Sequence, residues 1–122
     1  MKKSTSGTPT IEGFLAGKSE RTLALYHHFV GAFQQAGPVT LHATKTMIGI
    51  RNSQRNIAWI TALGKNFIHV VFPFAQPYND NLCFVKIAQV PGTHQYNHHF
   101  RMLLPEDVTD EVLAFMKLAL QG

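Results

Sequence analysis

Asn56-Ile57-Ala58-Trp59-Ile60-Thr61-Ala62-Leu63-Gly64-Lys65-Asn66-Phe67-Ile68-His69-Val70-Val71-Phe72-Pro73-Phe74 is the stretch on which the fold turns. Two runs rich in Ile, Val, Phe and Thr flank the turn-formers Gly64-Lys65-Asn66. Such runs prefer a pleated strand, and a connection this short cannot hold a crossover helix. The stretch therefore predicts an antiparallel hairpin. Gly64-Lys65-Asn66 is its turn and not a phosphate loop, since the Walker spacing and the following helix are missing.

The same texture extends in both directions. Residues 39–43, 46–51, 82–90 and 96–104 also read as strands, separated by Asn52-Ser53-Gln54, by Pro77-Tyr78-Asn79-Asp80-Asn81 and by Pro91-Gly92. Upstream, Thr10 caps a short turn through Ile11, Phe14 and Leu15 that stops at Gly17. Ser19 opens a stronger helix with Leu23, Tyr26, Val30 and Phe33 three or four apart, ended by Gly37-Pro38. Downstream, Leu104-Pro105-Glu106-Asp107 closes the sheet, and Asp107 or Thr109 caps a last helix. Its buried stripe reads Val112, Leu113, Met116, Ala119 and Leu120. The expectation is an α+β fold in two layers: a helical N-terminal segment, an antiparallel sheet of five or six strands and a C-terminal helix. Residues 1–9 read as a flexible tail and residues 10–122 as a single domain.

A chain of 122 residues can bury enough surface to need no disulfide or metal staple. Charged residues are only 15%, which argues against disorder and suggests neutral surface for a partner, such as a second copy in a homodimer. Cys83 is the sole cysteine, so no intrachain disulfide exists. Met1-Lys2-Lys3 precedes no apolar run, and residues 67–75 are too short to span a bilayer. Cytoplasm is the expected location and no membrane role is expected. Between Gly37 and Pro105 the cations are Lys45, Arg51, Arg55, Lys65, Lys86 and Arg101, while Asp80 is the sole acid. That balance attracts phosphates or acidic partners.

Strand alternation sorts the side chains into two faces. One is apolar: Ile48 and Ile50; Ala58 and Ile60; Ile68, Val70 and Phe72; Val85 and Ile87; Phe100 and Met102. The other is mixed: Met47, Gly49 and Arg51; Ile57, Trp59 and Thr61; Phe67, His69 and Val71; Phe84 and Lys86; His99 and Arg101. Aromatics beside cations suit an anionic ligand or single-stranded nucleic acid, the rings stacking on bases and the cations holding phosphates. Lys45, Arg51, Trp59, His69, Lys86, His99 and Arg101 are the candidate ligand-binding residues. The plainer reading is a partly wet sheet face whose rings pack under a loop or a second subunit.

The remaining motifs offer less chemistry. His94-Gln95-Tyr96-Asn97-His98-His99 has metal-pair spacing at His94 and His98, yet no neighbouring Asp, Glu or Cys completes a site. Hydrogen bonds tying a loop to the sheet, with His98 partly buried, are the expected role. Cys83 falls on the predicted core face, where a thiol is inert. Ser4, Ser19 and Ser53 lack a nucleophile elbow, and the single acid of the sheet region leaves paired-carboxylate mechanisms unsupplied. No catalytic residue, metal or cofactor is therefore expected. A small enzyme or metal protein on His94, His98 and His99 stays open as the third reading, after the binding module and the homodimer.

Several runs also carry a resemblance. They are residues 64–68, residues 81–92, residues 97–101, Asp110-Glu111-Val112 and Met116-Lys117, with residues 11–19 and 41–46. Over residues 10–120 the chain resembles a bacterial family of small stand-alone proteins catalogued as domain of unknown function 5655. The resemblance implies one domain. It also implies an accessory binding role, because relatives are fused to nuclease-like modules, and it brings no catalytic residue set.

Overall fold

The computed structural model describes residues 8–121. The elements run α1 (Ile11–Leu15), α2 (Glu20–Ala36), β1 (Thr40–Ala43), β2 (Ile48–Arg51), β3 (Asn56–Gly64), β4 (Phe67–Phe74), β5 (Lys86–Gln89) and β6 (Tyr96–Met102). A single 3-10 turn at Pro105–Asp107 and α3 (Asp110–Gln121) complete the chain. The tail expected at residues 1–9 falls outside the described residues as far as residue 7.

Caps and turns set the helix bounds. Thr10 Oγ1 accepts from the Gly13 amide at 2.9 Å, and Ser19 Oγ accepts from the Thr22 amide at 3.1 Å. Thr109 Oγ1 caps α3 by accepting from the Val112 amide at 3.3 Å, while Asp107 Oδ2 accepts from the Leu103 and Leu104 amides. The two candidate caps therefore divide the work. Asp107 closes the 3-10 turn and Thr109 starts the helix.

The six strands form one antiparallel sheet in the order β1-β2-β3-β4-β6-β5. The β3–β4 hairpin sits at its centre, with Gly64 opposite Phe67 and Asn66 in the left-handed region at φ 65°. β6 lies between β4 and β5, so the chain reaches the outer edge before returning by the Pro91-Gly92 turn. Both edge strands are only four residues long, which limits edge-to-edge pairing.

α2 and α3 cover one face of the sheet. Phe29, Phe33, Phe72, Ile48, Ile50, Ile68 and Met102 are fully buried there. Phe29 stacks on Phe100 at 6.0 Å and Phe33 on Phe72 at 6.2 Å. Each such ring contributes roughly 1.5–3 kcal/mol by leaving water. Among the described residues, two polar side chains are buried with the core, Thr22 and His98. Thr22 Oγ1 donates to the Gly64 carbonyl at 2.6 Å and accepts from the Asn66 amide at 2.9 Å, pinning α2 to the central hairpin. His98 lies among the rings of Phe74, Tyr78 and Phe84.

Four expectations need correction. The strand expected over residues 82–90 pairs only from Lys86 to Gln89. Leading into it, Val85 is 65% exposed, and Phe84 turns to the helix side against Phe72 and Phe115. A bulge between β2 and β3 leaves Ile57 without an opposite residue, so it enters the core instead of the mixed face. A second bulge takes Thr61 out of register, so that Ala62 stands opposite His69. In α3 the fully inward residues are Val112, Phe115, Met116 and Ala119, whereas Leu113 and Leu120 are half-buried. Phe115 is drawn inward by the rings of Phe74, Tyr78 and Phe84.

Candidate functional site

Strand register gathers the mixed face into rows. His42 stands opposite Gly49, Gly49 opposite Trp59, and Trp59 opposite Val71. Val71 stands opposite His99, and His99 opposite Lys86. Residues directly opposed in an antiparallel pair share a face, so one row crosses the whole sheet. A shorter row beside it carries Ala62, His69 and Arg101. At about 4.8 Å per strand, roughly 14 Å separates the backbones of Lys86 and Trp59. Among the described residues, no helix lies over these rows.

The side chains in them touch. One ring nitrogen of His69, Nε2, lies 2.9 Å from His99 Nδ1. The Arg101 guanidinium sits 4.7 Å from the centre of the Phe67 ring, a cation–π contact. Phe67 in turn covers Gly64 so closely that a Cβ there would collide with the ring. The His42 ring covers Gly49 in the same way and meets Trp59 edge-on at 5.8 Å. Gly49 thus lets His42 reach Trp59. Lys86 and Arg101 are exposed, whereas Trp59, His69 and His99 are half-buried. Val71 is buried yet stands apart from the helix-side core, seated by the register between Trp59 and His99.

The charge pattern is one-sided. All seven acids of the chain, Glu12, Glu20, Asp80, Glu106, Asp107, Asp110 and Glu111, lie outside the strands. Burial pushes the His69 imidazole below its ordinary pKa, and His99 and Arg101 push it the same way. His99 is lowered by burial first, then by Lys86 and His98. Both rings resist a further proton, first because burial disfavours the charged form and then because cationic groups stand beside them. An anion on this face would relieve that repulsion.

Of the seven sequence candidates, Trp59, His69, Lys86, His99 and Arg101 lie together. Lys45 sits in the β1–β2 connection, exposed and off the strands. Arg51 ends β2 opposite Thr40 and lines a separate hollow beside Leu120 and Gln121 at the end of α3. His42 and Phe67 were missing from the candidates. Strand parity put Phe67 on the mixed face and left His42 unassigned, and only the register puts His42 against Trp59 and Phe67 under Arg101.

The histidine run does not converge. His98 donates from Nδ1 to the Tyr96 carbonyl at 2.9 Å and accepts at Nε2 from the Tyr78 amide at 3.1 Å. It thereby ties the loop after β4 to the sheet, and burial keeps its pKa low. His99 points to the opposite face, and His94 is exposed in the β5–β6 turn. Among the described residues no group of three or more His, Cys, Asp or Glu side chains could hold a metal ion. The Cys83 thiol is pushed up to about 12 by burial and then by the charge of Glu111, which also bonds it. A thiol so protonated is a poor nucleophile.

Among the described residues no helix is long and apolar enough to cross a membrane. In comparisons with family models, curated proteins and solved structures, nothing matches this chain.

Proposed function

We propose that the chain is a non-enzymatic binding module whose mixed sheet face receives an anionic partner, with single-stranded nucleic acid as the best fit. The observation that carries this is the registered row of Lys86, His99, Val71, Trp59 and His42, flanked by His69 and Arg101, on a sheet without carboxylates. Lys86 and Arg101 supply charge for phosphates, and Trp59 a ring on which a base stacks. The resemblance to domain of unknown function 5655 belongs to the same proposal, since an accessory role beside nucleases suits a nucleic-acid-binding face.

The test is fluorescence anisotropy of a labelled oligothymidine over a salt series. Two or three neutralised phosphates give a slope of log K against log salt of about −1.5 to −2 for a single strand. The double variant Lys86→Glu, Arg101→Glu should lose binding and keep its thermal transition, because both side chains are exposed. Absence of binding at low salt, or binding that ignores salt, ends the proposal. A homodimer is the second reading, favoured by Leu82 at 92% exposure and Val85 at 65% beside the β5 edge. Light scattering separates the two, since the binding module stays monomeric in the absence of ligand.

A further inference from the structure

His69 on β4 and His99 on β6 stand side by side, with ring centres 5.2 Å apart and His69 Nε2 2.9 Å from His99 Nδ1. Each ring has a second nitrogen, Nδ1 on His69 and Nε2 on His99. Among the described residues neither of these outer atoms has a hydrogen-bond partner, and neither is sealed from solvent. The pair is closed on the inside and open on the outside.

Proton counting fixes what the open side offers. A neutral imidazole has one N–H and one lone pair. In the neutral pair one N–H fills the inner bond, so the outer nitrogens are one donor and one acceptor. A single added proton turns that outer acceptor into a donor and leaves the inner bond in place. Both outer nitrogens then donate, and the pair carries one positive charge. A second proton would occupy the inner acceptor and break the bond. The pair therefore has room for one proton and not for two.

Its charged neighbours are all cationic. The register sets Arg101 opposite His69 and Lys86 opposite His99. Side chains so opposed have Cβ atoms about 4.5–5.5 Å apart. His98, the next residue of β6, adds to the repulsion on His99. β3, the other neighbour of β4, has no titratable residue. Burial first, and then these neighbours, hold both rings below the ordinary imidazole pKa, so the free pair is neutral at pH 7. An anion beside Lys86 and Arg101 cancels the repulsion and brings acceptors to the outer nitrogens.

We propose that His69 and His99 form one proton-gated donor pair, which takes up a single proton as Lys86 and Arg101 receive a phosphate and then donates to the bound backbone from both outer nitrogens. The proposal rests on reading the mixed face as an anion site, and it adds the regulation of that site by pH. Affinity rises as pH falls, because the bound state holds more protons than the free one.

The test follows the imidazole ring protons of the full chain by NMR from pH 8 to pH 5.5, alone and saturated with oligothymidine, whose thymines and phosphodiesters do not titrate in that range. With the oligomer bound, His69 and His99 should take up one proton between them at a pH at least about half a unit higher than in the free chain, which makes binding about threefold tighter at the acid end. His94, exposed in the β5–β6 turn, should move by less than half as much. The slope of log K against log salt should also steepen by about 0.7 from pH 8 to pH 5.5, as a third positive charge joins Lys86 and Arg101. Binding with the two rings unmoved overturns the donor pair and leaves the sheet face standing. So does an equal shift at His94, which would mark only the general charge of the oligomer, and so does uptake of two protons by the pair. Absence of binding at every pH ends both readings.

Discussion

His69 and His99 meet nitrogen to nitrogen at 2.9 Å, so one ring must donate and the other accept. Protonating both removes the acceptor and sets two cations against each other beside Arg101 and Lys86. His98 is buried with both nitrogens occupied, one of them as an acceptor. All three imidazoles titrate below their unfolded value of about 6.5. Below that value the unfolded chain binds more protons than the folded one, so stability rises with pH. The contribution is full above about pH 6.5 and is lost as pH falls from there through the lowered folded values. Thermal denaturation should therefore give a Tm that declines from pH 7 to pH 5. A His69→Asn, His99→Asn variant should show a smaller decline. A rising Tm over that interval, or an undiminished decline in the variant, would contradict the reading. Polyphosphate should blunt the decline by supplying the missing negative charge.

Among the elements, the junction of α2 with the central hairpin depends on one hydroxyl. Thr22 Oγ1 serves Gly64, Asn66 and Ser19 together. Thr22→Val keeps the shape and strands the Gly64 carbonyl and the Asn66 amide, at a cost of about 2–4 kcal/mol. Urea denaturation should register that loss with an unchanged m-value; a loss below 0.5 kcal/mol, about the size of an ordinary surface change, would refute it. The hairpin and α2 were legible in the sequence because turn residues and a 3.6-residue period are local signals. The two bulges were not, since an extra residue shifts the register without altering the apolar pattern; for that reason Ile57 left its expected face for the core and Thr61 lost its place opposite His69. Residues 82–85 alternate like a strand but pair only once with β6, through the Val85 amide and the His99 carbonyl. Phe84 is held instead by the rings of Phe72, His98 and Phe115, and such contacts between remote segments leave no local trace.

Over the whole molecule, charge and layer coincide. The helices take the apolar face and carry six of the seven acids with their flanking turns, while the strands hold Arg51, Lys86, Arg101 and four histidines and no acid. The alternation of Trp59, His69, Lys86, His99 and Arg101 was legible as one face. Their order across it was not, because β6 inserts between β4 and β5 and brings Lys86 next to His99. Trp59 is the single tryptophan of the chain and lies in the row, so its emission reports on this face alone. Oligothymidine added at low salt should quench Trp59. The quenching should reverse as salt rises and should be absent in the Lys86→Glu, Arg101→Glu variant. Emission that stays unchanged through the titration, or quenching indifferent to both salt and those reversals, would contradict a base-stacking, phosphate-binding face.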